Sequence, residues 1–377
     1  MADFDVVVIG GGVVGLAAAA AAARSGRTTV LLERHDACGT ETSSRNSGVI
    51  HAGIYYPENS LKAVTCVAGR KLLYARCERD RIAHAKLGKI IVATCDDEVP
   101  KLEQIAARAR NNGAGDLSWL DADTVRRMEP NVQAVAGLLS PETGIVDAHG
   151  LMDSYRAEAR AYGCDVAFRT EVTQITTKGG AFQVATRAGT GETMTIECGQ
   201  VVNAAGLSSD RIAAMAGLDV DALGYRLHPC KGDYFRLASH LRGLCRHLIY
   251  PVPVAAGLGT HLTLDLSGDI SAGPDTEYVT APRYDVSPDK AHEFGEALRR
   301  YVPIIRDEDL SPNYAGVRPK LQGPGETFRD FVVEDAAPHG LPGMINLIGI
   351  ESPGLTASEA IANRVVELLA RTHHQGT

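Results

Sequence analysis

Residues 5–33 read DVVVIGGGVVGLAAAAAAARSGRTTVLLE. Val6 to Ile9 is a short β-branched apolar run, the pattern of a parallel strand buried on both faces. Gly10, Gly12 and Gly15 follow as G-x-G-x-x-G, and Leu16 to Ala23 is almost pure alanine, the best helix former, with Gly26 as its stop. Thr28 to Leu32 is a second apolar strand, ended by Glu33. Together these predict a βαβ unit with a task for each part. Gly10 makes the tight turn, Gly12 lets a pyrophosphate approach the backbone, and Gly15 lets helix and strand come close. Free N–H groups and the dipole at the helix N-terminus favour the diphosphate. Glu33 is placed to accept bonds from a ribose hydroxyl. A glycine-rich turn of some other α/β protein does not explain three glycines and an acid in one register. The motif predicts dinucleotide binding and leaves FAD and NAD both open.

The rest of the chain narrows the class. Its 377 residues make two domains the natural division. Hydrophobic content of 45% and charged content of 22% are those of an ordinary globular protein. A net charge of −8 argues against nucleic acid as a partner, which needs a basic footprint. No stretch has the length of apolar chain that spans a bilayer, and Asp3 and Asp5 stand where a signal peptide would be basic. The eight cysteines form no C-x-x-C pair and no His/Cys cluster has zinc spacing. The expectation is reduced thiols, no metal, and a cytoplasmic protein, contact with the inner-membrane surface being left open.

Thr40 to Pro57, TETSSRNSGVIHAGIYYP, follows the βαβ unit. Ser43, Ser44, Arg45 and Asn46 offer donors for a second anion clamp, and His51, Tyr55 and Tyr56 stand among glycines. Helices are predicted over 61–81, 100–111, 121–128 and 150–162, with a strand over 89–94 and a turn-rich crossing over 140–147. Alternation from Asp165 to Thr186, with a turn at Gly179-Gly180, predicts a hairpin. VVNAAGLSSD, from Val201 to Asp210, is a second strand–glycine–helix junction. From Leu223 to Arg318 short strands dominate (KGDYFRL, HLIYPVP, THLTLDL, TEYVTAP), with one helix over 288–301, as in an antiparallel sheet of a different domain. Met344 to Ile350, ESPGLT and a helix over 357–370 return to the first pattern.

With these pieces in view, the chain resembles the FAD-dependent oxidoreductases of the D-amino-acid-oxidase superfamily, and within them the L-2-hydroxyglutarate dehydrogenase/oxidase branch. VVVIGGGVVGL, SSRNSGVIHAGIYY, VVNAAGLSSD and GIESPGLTAS carry the likeness, in the family's order. The resemblance implies a Rossmann-like FAD-binding domain, α/β in class, with an inserted mixed-sheet substrate domain rich in antiparallel β. It implies residues 1–87, 144–222 and 319–377 for the first and 88–143 and 223–318 for the second. Gly10, Gly12, Gly15, Glu33 and Arg34 would bind the ADP half, with Val13 and Val14 beside them. Thr42, Ser43, Arg45, Asn46, Ser47 and His51 would line the diphosphate and flavin. Val172 would meet the adenine side, and Ala205 and Gly206 the diphosphate. Gly349, Ser352, Pro353, Gly354, Leu355 and Thr356 would lie against the flavin's pyrimidine edge at a helix N-terminus, which stabilises negative charge there. Lys231-Gly232 departs from the branch's arginine-glycine step and loses the bidentate fork.

The implied activity is oxidation of a small 2-hydroxy carboxylate to the 2-oxo acid, with oxygen, a quinone or a carrier protein as electron acceptor. An amino-acid or secondary-amine oxidase on the same scaffold is the alternative. Arg318, in YAGVRP, is the expected substrate anchor, because an arginine fork matches a carboxylate. Lys231, Tyr250 and His261 come from neighbouring strands and are expected in the same pocket, with Lys231 assisting at a second acidic group. His51, of a residue type that titrates near neutrality, is the expected general base.

Overall fold

A computed structural model describes residues 2–253 and 259–372. The opening unit forms as the sequence predicts: strand Phe4–Ile9, helix Val13–Arg24 and strand Thr29–Leu32, the two strands parallel and side by side. Strand Thr193–Asn203 lies on the other side of Phe4–Ile9, Met344–Ile348 lies beyond it, and Asp165–Ala167 flanks Thr29–Leu32, all parallel. Val332–Asp335 and the hairpin Thr170–Lys178/Ala181–Ala188 complete this eight-stranded sheet through antiparallel pairs.

The alanine run has its reason in packing. From Leu16 to Ala23 the helix Val13–Arg24 is buried on every side, so it shows no amphipathic stripe. It lies between helices Ala148–Ala161 and Gly354–Thr372 and on the parallel strands, and methyl side chains let all of them approach. Helix Leu61–Asp80 packs on Gly354–Thr372 as well. The guanidinium of Arg76 holds that layer together. Buried, it bonds Glu359 at 2.8 Å and Glu158 at 2.6 Å, bridging three helices.

The second sheet has nine strands. It joins Lys89–Ala93, Ser118–Asp121 and Ala136–Ser140 to strands from His228–Leu237 through Leu310–Lys320. The pairs are antiparallel except Lys89–Ala93 beside Leu248–Pro251, which is parallel, so the sheet is mixed.

Three expectations change. Asp165–Ala167 is no part of the hairpin: Arg169 takes a left-handed φ of 51°, the chain turns, and the hairpin starts at Thr170. The crossing over 140–147 contains a short strand, Gly144–Val146, in a three-stranded sheet with Val49–Ile50 and His84–Ala85. Helix Gly354–Thr372 begins three residues before its predicted start, so its first turn forms from ESPGLT itself.

Removing Arg76 leaves Glu359 without its cation and Glu158 with Arg24 alone, in a largely buried layer. Arg76→Ala is expected to lower stability by about 3 kcal/mol or more. Arg187→Ala, which breaks an exposed pair with Glu171, should change it by less than about 1 kcal/mol. Urea denaturation of the two variants checks the contrast.

Candidate functional site: a cofactor groove opening into a substrate cavity

Two cavities meet at the N-terminus of helix Val13–Arg24. The smaller is lined by Gly10, Gly12, Glu33, Arg34, Val172, Ala205 and Gly206 among others. The larger, about 1080 Å³, is lined by Val13, Val14, Arg45, Asn46, Ser47, His51, Tyr250, His261 and Arg318, with Ser352, Pro353, Gly354 and Leu355 on its far wall. Gly12, Thr42, Ser43, Ala204 and Gly206 line both, so the two form one elongated groove.

The glycine loop is shaped for a close ligand. Gly10 has φ +108°, and a Cβ there would stand 2.5 Å from the carbonyl oxygen of Ala204. A Cβ on Gly15 would stand 1.9 Å from the carbonyl oxygen of Gly10, so helix and strand touch only because position 15 is glycine. At Gly12 the one near atom is Ser43 Oγ, at 3.0 Å. That hydroxyl accepts the N–H of Val13 at 3.0 Å and ties the Thr42–Ser44 turn to the helix start. Glu33 braces the loop from below: Oε2 accepts Gly11 N–H at 2.8 Å and Oε1 accepts His35 N–H at 2.7 Å. Each oxygen keeps a second lone pair for a ribose hydroxyl. Arg34 reaches across to Glu41 and Ser208 at the rim. A buried glycine cradle, a helix N-terminus and an acid at the second strand's end fit the ADP half of a dinucleotide.

The flavin-side loop is held by its own polar groups. Asn46 Nδ2 donates to Ser43 O at 2.7 Å, and its Oδ1 accepts Gly48 N–H at 2.9 Å. Thr42 Oγ1 donates to Val317 O at 3.0 Å, which fastens this loop to the substrate-side strand Leu310–Lys320. Gly15, Gly349 and Thr356 do not line the groove; they support it from behind. Thr356 is buried, accepts His51 N–H at 3.0 Å and donates to Val49 O at 3.3 Å, so helix Gly354–Thr372 is bolted to the segment that carries His51.

Arg318 projects into the larger cavity. Its Nη2 donates to Asp275 O at 3.1 Å and Lys231 O at 3.4 Å, its Nε donates to Cys230 O, and among the described residues its Nη1 makes no hydrogen bond. The fork is oriented by main-chain carbonyls, none of which neutralises its charge. His51 is half-buried, with Nε2 3.2 Å from Ser352 Oγ. Burial, and then the charge of Lys89, push its pKa down to about 3, so its imidazole is neutral at any working pH. This corrects the expectation that His51 titrates near neutrality. Tyr250 and His261 are both buried and stacked, their ring centroids 3.5 Å apart.

Lys231 is a correction. Side chains alternate along strand His228–Leu237, and the residue lining the cavity is Gly232, with Tyr234 next on that face. Lys231 points to the other side, buried, with Nζ 2.7 Å from Asp233 Oδ1. Asp233 also bonds Lys290 at 2.6 Å, and Lys290 bonds Asp275 at 2.7 Å, so these charges are already used in supporting the cavity wall. The sequence reading also missed Lys320, Tyr234, Asp275 and the buried pair Lys62–Glu351, 2.9 Å apart, which line the cavity. Period two along Leu310–Lys320 places Lys320 on the face of Arg318, a signal that was available. Lys62 and Glu351 meet across 289 positions, which no local pattern carries.

The groove defines a flavin- or nicotinamide-dependent oxidoreductase, and the comparisons decide between them. Residues 5–368 match the family described as FAD dependent oxidoreductase, and the chain belongs to that family. FAD is its cofactor. The chain is 39% identical to the mitochondrial L-2-hydroxyglutarate dehydrogenase of Arabidopsis thaliana, over 97% of this chain and 83% of that one. It is 29% identical to L-2-hydroxyglutarate dehydrogenase of Escherichia coli K12, over 89% and 85%. Among solved structures it is similar to the FAD-bound L-alpha-glycerophosphate oxidase of Mycoplasma pneumoniae, with TM-score 0.87 and 27% identity over 97% and 94% of the two chains. Glycine oxidase of Geobacillus kaustophilus shares the fold, with TM-score 0.81 at 21% identity over 98% and 95%. No helix among the described residues is long and apolar enough to cross a membrane.

The glycine loop tolerates no methyl group at position 15. Gly15→Ala should yield protein with little or no bound flavin, read as the ratio of visible to 280 nm absorbance after purification, whereas Ala22→Ser, on the same helix but away from the loop, should keep its flavin.

Proposed function

We propose that the protein oxidises a small 2-hydroxy dicarboxylate, L-2-hydroxyglutarate or a close analogue, to the 2-oxo acid. The observation that carries this reading is the pairing of Arg318 with a neutral His51 in one cavity beside the glycine loop. The names of the relatives agree with it. FAD, when bound, would supply the two-electron acceptor for oxidation of the carbon bearing the hydroxyl. Gly10, Gly12, Val13, Val14, Glu33, Arg34, Ser43 and Val172 hold its ADP half, with Ala205 and Gly206 at the diphosphate. Thr42, Arg45, Asn46, Ser47 and Ser352–Leu355 surround its flavin, and Gly15, Gly349 and Thr356 act through the backbone they support.

The protein's own groups do the rest. Arg318 anchors the carboxylate next to the reacting carbon with its uncommitted Nη1. Lys320, on the same face and without an ion pair among the described residues, takes the second carboxylate in place of Lys231. His51 accepts the hydroxyl proton. An imidazole of such low pKa is a weak base, and the negative charge of a substrate beside it strengthens it. His261 and Tyr250 form the opposite wall and exclude water. The division that the resemblance implies, residues 1–87, 144–222 and 319–377 against 88–143 and 223–318, is part of this proposal, and the strands of the two sheets, which segregate almost along those limits, support it. Strand Leu310–Lys320 runs across the last of them.

An anaerobic screen tests the reading: L-2-hydroxyglutarate should bleach the flavin band, and neutral amino acids should not. Bleaching by amino acids alone would make it an amine-oxidising member of the family. Arg318→Lys should lower kcat/KM by about tenfold to a few hundredfold, the range for a lost charge-assisted hydrogen bond, with flavin content unchanged. His51→Ala should slow anaerobic reduction by about 10²-fold or more. Because His51 is already neutral in the free enzyme, the second-order rate of wild-type reduction at low substrate should show no rising limb from this residue above pH 5. A rise through pH 6–7 that His51→Ala abolishes would contradict that assignment.

A further inference from the structure

Lys89 lies on strand Lys89–Ala93, behind two residues that line the larger cavity, and is 0% exposed. Its Nζ makes no hydrogen bond or ion pair among the described residues. It sits 4.6 Å from the ring centroid of Tyr55 and 4.6 Å from that of Tyr250. Both rings line the cavity, and His261 stacks on Tyr250. The ammonium therefore lies against two aromatic rings that line the cavity.

The groups packed around it supply no negative charge. His51, from the segment after Val49–Ile50, is neutral, its pKa pushed down by burial and by Lys89 itself. Cys66, from helix Leu61–Asp80, has its thiol pushed up to about 12 by burial. Arg70, behind Cys66, is committed to the carbonyls of Ala52 and Ala114. On the neighbouring strand Ser140 bonds Thr143. Tyr55 and Tyr250 are held in the phenol form by burial. A buried cation without a counter-ion is unfavourable. The field of Lys89 is directed, through two ring faces, into the cavity in which the substrate of the proposed reaction would lie.

We propose that Lys89 is a positioning residue that supplies, through the Tyr55 and Tyr250 rings, the countercharge for an anion in the larger cavity, and that anion binding draws a proton onto its amine. The proposal rests on the carboxylate reading of the substrate. The sign follows from linkage. Burial lowers the Lys89 pKa to about 7 in the ligand-free site. Below that pH the amine is charged and attracts the anion; above it the amine is neutral, and the bound anion must raise its pKa and recruit a proton.

The test uses the FAD-loaded enzyme and glutarate, a dicarboxylate with no hydroxyl to oxidise, with binding read as a perturbation of the flavin spectrum from pH 6 to 9. In wild type, Kd should rise above neutrality by up to about tenfold per pH unit, and binding at pH 8 in weak buffer should take up close to one proton. Lys89→Met should bind more weakly at pH 6, with a flat pH profile and no proton uptake. Lys89→Arg should bind without pH dependence or uptake, which a purely packing role for the lysine stem would not produce. Lys89→Met should also melt at higher temperature than wild type, by more at pH 6 than at pH 9, because the charged amine is the unfavourable form to bury. A variant at position 89 that keeps the wild-type pH slope and proton uptake overturns the proposal. If wild type binds no dicarboxylate, the substrate reading fails on its own. The ligand-free flavin spectrum then decides Lys89: no transition near neutrality that Lys89→Met removes would overturn its titration behind the rings.

Discussion

At position 15 a hydrogen atom stands where any other residue would put a methyl group inside the carbonyl of Gly10. The architecture around the groove depends on that contact. It sets the distance between helix Val13–Arg24 and the strand that feeds it, and so fixes the helix N-terminus against the sheet's edge. The helix can sit so close only because its other side chains are methyls, and it is then enclosed by Ala148–Ala161 and Gly354–Thr372. Because Gly354–Thr372 is held there, its own N-terminus faces the larger cavity. One close approach thus aims two helix termini into one groove, the first where its two cavities meet and the second in the far wall of the larger.

Charge is distributed along the groove with equal economy. At the ADP end each oxygen of the Glu33 carboxylate braces the loop with one bond and keeps a lone pair for a ribose hydroxyl. In the larger cavity Lys62 and Glu351 neutralise each other, while Arg318 is oriented by carbonyls that leave its charge uncompensated. Burial raises the pKa of Glu351, and the cations Lys62, Lys320 and Arg318 outweigh it and hold the carboxylate below its ordinary range. Ionised Glu351 thus offsets part of the positive field and leaves the remainder for a ligand.

The βαβ unit, the second strand–glycine junction and the C-terminal turn were legible in the sequence, because each is a local pattern whose physics is complete within about thirty residues. Arg318 was legible as a residue of the cavity, picked out as a fork that matches a carboxylate. Lys231 was misread although the information was present: alternation puts it on the face opposite Gly232, and only a residue-by-residue count reveals it. Glu33 was read for its ligand while its bonds to Gly11 and His35 went unseen. Lys89 gave no signal at all. A single lysine opening an apolar strand reads as a solvated end, and its burial follows from Tyr55 and Tyr250, brought over it by separate segments. The His51 pKa was beyond reach for the same reason, since it depends on burial and a neighbour 38 positions away in sequence.

The join between loop Thr42–Ser47 and strand Leu310–Lys320 rests on main-chain carbonyls. Thr42 bonds the carbonyl of Val317, Tyr314 bonds the carbonyl of Asn46, and Gly316 lies against the carbonyl of Arg45. The acceptor in each is a carbonyl that every amino acid possesses, while the Thr42 and Tyr314 hydroxyls and the bare Cα of Gly316 are particular to this chain. The side chains that point from the same strand into the cavity, Arg318 and Lys320, are independent of that brace. Descendants of this chain can therefore exchange the residues that select a substrate while inheriting the cofactor cradle intact, which makes the strand a natural place for lineages with different chemistries to diverge.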